Sequence, residues 1–493
     1  MKSKKWSGVL GLASSVCGAL IFSCSAGGGP KIVTLGGTMP SSGSAGAGSQ
    51  ATGTGGTLML KEGGAAAGPS SGACTNLQCQ QVVCGDGGPL TSVSGTVFDP
   101  AGQVPLYNVV VYVPNAPLEP LSDGASCQTC DGDFSGHPIA VALTDSHGNF
   151  KVDDVPVGDN IPLVIQVGKW RRQLTIPHVE QCVDNPLPDA DLTRLPRNQS
   201  EGDLPKIAIS LGGSDSLECL LMRIGVDQSE FTLPSEGGRV NLYANTNSNA
   251  ATSMIENGAT LPLPTADSLW DSLPTMMAYD MMILSCEGTD NNGRSNAQYD
   301  NVHAYADQGG RIFGSHFHNT WINPDIHPYP AVVKFASGAH NLPDGFVAQV
   351  DTSFPKGVAF SDWLSNVGAS TTPGQLVVNG SEHTIDSTLT DPTTGALLAQ
   401  QWVYGQDTDK KTPTVQYFSF TTPVDAKECG RMVFSDLHVV TGSGDTTKQV
   451  FPSGCAMSAL TPQEKALEFM LFDLSSCVQK DDKPPMPPPK DPK

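Results

Sequence analysis

Two hydrophobic rhythms divide the chain. Between Ser92 and about Pro177, short β-branched and aromatic runs alternate with turn residues. Ser94-Gly-Thr-Val-Phe98 leads into Pro100-Ala-Gly102, Asn108 to Val113 is nearly all Val and Tyr, a tight turn at 144–149 precedes Phe150, and Ile161 to Val167 is apolar again. Strands of this length, broken at this interval, predict an antiparallel sandwich. From Leu204 the rhythm changes. Lys206–Leu211, Arg239–Ala244, Tyr279–Cys286, Arg311–His316 and Arg431–Leu437 carry apolar runs without polar alternation, as strands covered on both faces do. Helical patterns lie between them. Leu217, Leu220, Leu221 and Ile224 share one face of a helix that Asp215 would open, with Glu218 as its capping partner. Asn296 to Gln308 is a second helix, ended by Gly309-Gly310. Thr461-Pro-Gln-Glu464 opens a third, with Leu467, Met470, Leu471 and Leu474 as its buried stripe. Strands alternating with helices predict an open, mainly parallel α/β sheet covered on both faces. Residues 322–428 interrupt that order with one helix (Phe360, Trp363, Leu364 and Val367 on a face) and two strand-like runs, Gln401–Tyr404 and Val415–Thr421. This stretch reads as an insertion that covers the sheet's carboxyl edge or extends the sheet.

The ends read differently. Lys2, Lys4 and Lys5 precede a mostly apolar stretch from Trp6 to Phe22, closed by Ser23-Cys24. That is the layout of a secretory leader, too short to span a bilayer as a helix. Leu20-Ile21-Phe22-Ser23-Cys24 resembles the bacterial lipobox, although Phe22 is bulky for its position. The resemblance implies a lipid on Cys24, attachment to a membrane, and placement at the outer membrane or cell surface, since Ser25 is not the aspartate that retains some lipoproteins at an inner membrane. Residues 24–73 are Gly, Ser, Ala and Thr with few large apolar side chains, the composition of a flexible tether. The predicted organisation is therefore a leader at 1–23, a tether at 24–73, a Cys-rich start and sandwich at 74–178, a connector at 179–203, an α/β domain at 204–478 and a Pro-rich tail at 479–493.

Composition sharpens the placement. Removing the three leader lysines from 28 basic residues leaves 25 against 49 acidic ones. Such a surface repels phosphate backbones, which argues against nucleic acid as a partner. Eleven cysteines follow Cys24. In an oxidising compartment they are expected as disulfides rather than zinc ligands, and ten are candidates: Cys74, Cys79, Cys84, Cys127, Cys130, Cys182, Cys219, Cys429, Cys455 and Cys477. The odd one, Cys286, sits in an apolar strand and is the expected free thiol.

Two longer resemblances sit on these patterns. "SGTVFDPAGQVPLYNVVVYV", "TDSHGNFKVDDVPVG" and "LVIQVGKWRRQ" resemble the carboxypeptidase regulatory-like domain, a transthyretin-like β-sandwich. Such domains support, tether or bind, sometimes carbohydrate, and are not themselves peptidases. "YDMMILSCEG", a helix, "GGRIFGSHFHNTW" and "CGRMVFSDLHV" resemble the class I glutamine amidotransferase-like superfamily, nearest its trehalose-utilisation-type branch, which implies a flavodoxin-like sheet. Where that superfamily carries its nucleophilic cysteine this chain has Gly314-Ser-His316-Phe-His318, so the resemblance does not imply glutamine hydrolysis.

In open α/β sheets, ligands bind beyond the carboxyl ends of the strands. The predicted strands deliver Gly212 and Gly213, then Cys286 and Glu287, then His316 and His318, then Asp436 and His438 to that edge. His316 and His318, two apart on a strand, would face one way, and H-x-H is a metal-ligand spacing; with His438 and Glu287 they could hold a divalent metal. The alternative is that these histidines bond loop backbone in a wet crevice. The two glycines could cradle an anion or simply make the turn. Two functions follow as expectations: a surface-tethered, non-enzymatic binding or scaffold lipoprotein with a glycan or protein ligand, or an extracytoplasmic metal-assisted hydrolase using His316, His318, His438 and Glu287.

Overall fold

A computed structural model of the chain describes residues 74–490, apart from 86, 133, 246–248, 290–292, 425 and 440–444. The leader, Cys24 and the tether lie outside these residues. Seven strands form two facing sheets, built from β1 (Ser92–Thr96), β2 (Val110–Pro114), β3 (Pro138–Leu143), β4 (Asn149–Asp153), β5 (Gly158–Val167), β6 (Trp170–Val179) and β7 (Asp184–Leu187). Their orders are β4-β1-β7 and β3-β2-β5-β6. The pattern in β4, Phe150 and Val152 buried between exposed neighbours, is the period-two signature of a strand with one dry face. The stretch expected as a connector supplies β7, which pairs parallel with β1 through Ser92↔Asp184 to Gly95↔Leu187.

The longest sheet among the described residues has ten strands. It uses β8 (Ile207–Ser210), β9 (Phe231–Thr232), β10 (Val240–Tyr243), β13 (Met281–Leu284) and β14 (Arg311–Ser315), the short hairpin β11 (Ser253–Glu256) and β12 (Ala259–Pro262) lying outside it. The insertion adds β15 (Val333–Asn341), β16 (Phe346–Val350), β17 (Gln375–Val378), β18 (Glu382–Thr388), β19 (Gln400–Asp407) and β20 (Thr412–Thr422), and β21 is Gly430–Ser435. The order is β17-β16-β19-β20-β21-β14-β13-β8-β10-β9. From β21 to β9 all neighbours pair parallel. From β21 to β17 they pair antiparallel. Of the two placements expected for the insertion, it extends the sheet, while β15 and β18 pair separately.

Each parallel strand buries both faces by alternation. Ile207, Ile209, Ile283, Phe313 and Val433 join one core with the helix Pro462–Ser475 and the sandwich. Ala208, Met282, Leu284, Ile312 and Phe434 join a second core with the helix Asn296–Asp307. The sandwich docks on the first helix, with Tyr107 stacked on Phe469 at 5.7 Å and Trp170 edge-on to Phe472 at 5.8 Å. A buried ion pair also crosses this junction, Lys169 to Asp280. All ten cysteines expected in disulfides are paired: Cys74–Cys79, Cys84–Cys182, Cys127–Cys429, Cys130–Cys477 and Cys219–Cys455. Cys286 is free and buried. The Pro-rich tail begins as part of the fold, because Asp481 is buried against Arg431 and Lys356. No helix among the described residues is long and apolar enough to cross a membrane.

Candidate functional site

One side chain organises the carboxyl ends of the parallel strands. Asp215, buried just beyond Gly212-Gly213, accepts the Cys286 N–H at 3.0 Å and the Ser315 hydroxyl on Oδ2, and the Val439 N–H at 3.0 Å on Oδ1. The continuations of β13, β14 and β21 are thereby tied to a single carboxylate. This differs from the capping role expected for Asp215: the helix runs from Leu217 to Arg223 with Ser216 at its N-cap, and no side chain caps it. Glu218, the expected capping partner, is buried instead, and burial pushes its carboxyl up to about 8.

The two glycines serve the same closeness. A Cβ on Gly212 would stand 2.1 Å from the carbonyl oxygen of Cys286, and one on Gly213 2.8 Å from that of Glu287. The Ser214 N–H that follows bonds the Cys286 carbonyl at 3.1 Å, so the turn joins two strand ends.

Held this way, Cys286, His316 and His438 converge. One ligand atom from each lies within 4.8 Å of the others. Cys286 Sγ is 3.5 Å from His316 Nδ1, and the rings of His316 and His438 are 5.2 Å apart. His316 adopts a left-handed backbone at φ +37°, a region unfavourable for a residue with a Cβ. The chain turns there from β14 into the 3-10 helix His316–Ile322, and Asn319 Nδ2 donates to the His316 carbonyl at 2.8 Å. Cys286 and His316 are buried; His438 is half-buried, but its Nε2 is shut off from solvent and finds no hydrogen-bond partner among the described residues.

Burial holds two of the three groups, Cys286 and His316, in their neutral forms. Burial, reinforced by the Asp215 carboxylate, pushes the Cys286 thiol far above its ordinary value. Burial, with His438 alongside, pulls His316 down to about 3. A thiol so protonated is no nucleophile by itself.

The other expected site residues have different occupations. His316 and His318 do not share a strand face, because the strand ends at Ser315 and both lie on the 3-10 helix. His318 Nε2 donates to the Ser285 carbonyl at 3.0 Å and its Nδ1 accepts Trp321 Nε1–H at 3.0 Å, which leaves no lone pair for a metal. Glu287 is ion-paired with Arg294, whose guanidinium lies 4.9 Å and 4.7 Å from the Trp270 and Trp321 rings. Asp436 turns toward β18, accepting the Thr384 N–H at 2.9 Å, and burial pushes its carboxyl well above the usual range. Of the expected group of His316, His318, His438 and Glu287, the structure brings His316 and His438 together, with Cys286, and places His318 and Glu287 elsewhere. Cys286 was legible as a group at the sheet edge and as a free thiol; its partnership with the histidines depends on the turn at His316.

One thiol and two imidazoles form a donor set suited to zinc or another late transition metal. Binding would take the thiol proton, and the partial exposure of His438 leaves a side on which a further ligand could stand.

No protein-family model matches the chain, and no curated protein matches it. Among solved structures, an interface mutant of a type II cohesin–X-dockerin complex from Acetivibrio cellulolyticus is 17% identical over 30% of this chain and 78% of that one, at a TM-score of 0.14. A second interface mutant of that complex is 16% identical over 28% of this chain and 85% of that one, at 0.16.

Proposed function

We propose that this chain is an exported binding protein whose sheet-edge site, Cys286, His316 and His438, holds a late transition metal such as zinc and presents it to a glycan or protein ligand. The observation that carries the reading is His438 Nε2, buried beside a thiol and a neutral imidazole and without a hydrogen-bond partner among the described residues. A buried polar atom left unpaired costs about 1–3 kcal/mol, which a metal–nitrogen bond would remove. Export is supported by the leader and by five disulfides. The lipid on Cys24, a transthyretin-like sandwich and an amidotransferase-like sheet belong to the same proposal and rest on the sequence resemblances.

The test is elemental analysis of purified protein, stripped of metal and reloaded with zinc. Cys286→Ser and His438→Ala should each lose one zinc equivalent relative to the parent. Unchanged zinc in both variants would sink the reading. Metal-assisted hydrolysis is a second reading, favoured by the half-exposed side of His438, where a metal-bound water could stand. Turnover of chromogenic esters or glycosides by the zinc-loaded protein, lost in Cys286→Ser, would establish it over simple binding.

A further inference from the structure

A separate cluster lies in the insertion. His340 on β15 and His383 on β18 face one another directly in the antiparallel pairing, and Asp407 closes β19. The Asp407 carboxylate is aimed by its own turn, Oδ1 accepting the N–H groups of Asp409 at 2.8 Å and Lys410 at 3.1 Å. Its Oδ2 meets His383 Nδ1 at 2.7 Å and His340 Nε2 at 2.8 Å. Asp407 and His383 are buried, whereas the His340 side chain is 26% exposed.

A neutral imidazole carries one N–H. His383 faces carboxylates with both nitrogens, Nδ1 toward Asp407 and Nε2 toward Asp386 Oδ1 at 3.1 Å. His340 Nδ1 meets the Gly338 carbonyl at 3.4 Å, which requires the proton there; its Nε2 makes no hydrogen bond despite the Asp407 oxygen 2.8 Å away. In its neutral form each ring would turn a lone pair toward a carboxylate oxygen, and a cation at the meeting point, where one ligand atom from each of the three residues lies within 4.8 Å of the others, would reverse both repulsions.

We infer that His340 Nε2, His383 Nδ1 and Asp407 Oδ2 form a second metal site, for a divalent transition ion of the zinc class. The surroundings match what such a site needs. Each ligating imidazole has its other N–H on an acceptor, the Gly338 carbonyl for His340 and Asp386 for His383, the outer-shell arrangement that fixes tautomer and orientation. Two imidazoles and one carboxylate leave a position open on the exposed side of His340. Ligand atoms about 2.0 Å from a tetrahedral ion stand about 3.3 Å apart, so the cluster must open by about half an ångström. Glu382, buried beside His383, is within electrostatic reach of both His340 and His438, so the two sites flank one carboxyl group.

The experiment uses the full chain in mild detergent, stripped by chelator and reloaded with zinc, with bound metal read by elemental analysis. The double variant His340→Ala/His383→Ala should lose one equivalent and keep the one that depends on Cys286. Conversely, Cys286→Ser/His438→Ala should keep the equivalent that depends on His340. A His340→Ala/His383→Ala protein with parental circular dichroism and full zinc content overturns the inference, whatever the sheet-edge site does. Should that variant fail to fold, Asp386→Ala removes the acceptor of the His383 N–H together with an exposed ion pair to Lys334. It should weaken zinc binding about 10–100-fold, and unchanged affinity overturns the inference.

Discussion

Asp99 should be a liability at neutral pH, and replacing it with asparagine should stabilise the protein. The side chain is 1% exposed in a turn of the sandwich. Its Oδ1 accepts the N–H groups of Gln103 at 2.7 Å and Val104 at 3.1 Å. Burial nevertheless dominates these bonds and the nearby Arg197, pushing the carboxyl from 3.8 up to about 6. Glu468, fully buried on the docking helix, faces it and is pushed well above its usual range by burial and by Asp99 itself. A carboxyl whose folded pKa lies above its unfolded value holds its proton more tightly in the native state. Stability is then greatest below 3.8 and falls as pH rises through about 6. At 1.36 kcal/mol per unit, ionised Asp99 costs about 3 kcal/mol above that window. Asp99→Asn keeps Oδ1 as an acceptor, and the weakening of its bonds on loss of the charge is already contained in the raised pKa. The net gain should be about 3 kcal/mol at pH 8, vanishing at pH 4. Urea midpoints of both proteins at the two pH values, with disulfides intact, measure the difference directly. Equal destabilisation by Asp99→Asn at both pH values would show that the ionised carboxyl carries no burial penalty.

Three further outcomes follow from the same structure. Lys169→Met should cost about 3 kcal/mol, because it leaves Asp280 buried without its lysine and frees the Ser122 and Gly124 carbonyls; Asp280→Asn in the same protein should recover part of the loss, read by urea midpoints. Asp481→Asn should cost about 3 kcal/mol by leaving the buried Lys356 and Arg431 with a single carboxylate, Asp473. Burial opposes ionisation of Asp481, but Arg431 and Lys356 prevail and hold its carboxyl below the usual range, so this contribution is present above the unfolded pKa and fades as pH falls through the folded one; the variant's melting temperature should lose that part of its acid dependence. Gly212→Ala should lower stability by about 2 kcal/mol and release zinc, since its Cβ would meet the Cys286 carbonyl at 2.1 Å; a melting temperature and zinc content equal to the parent would count against the close approach.

What was legible in the sequence divides along physical lines. Strands such as Met281–Leu284 and Arg431–Ser435 announce themselves because burial on both faces demands an unbroken apolar run. Asp184–Leu187 escapes that test: four residues with a proline and no dry face enter the sandwich only by pairing with β1. Asp215 was misread because an acid just before a helix looks like a cap, whereas its true partners, Cys286, Ser315 and Val439, are far away in sequence. His316-Phe-His318 alternates like a strand, and only the left-handed turn at His316 sends the two rings to different neighbours. Nothing local marks His340, His383 and Asp407. Their segments are partly exposed, with no shared motif, and the pairing of β15 with β18 is what brings them together.

The most direct measurement of the central claim is the absorption spectrum of the cobalt(II)-loaded protein. A metal held by Cys286 with His316 and His438 should give a sulfur-to-cobalt charge-transfer band in the near ultraviolet that Cys286→Ser abolishes while tetrahedral nitrogen and oxygen ligation elsewhere persists. A cobalt-saturated parent protein with no such band, or one whose band survives Cys286→Ser, would contradict the account.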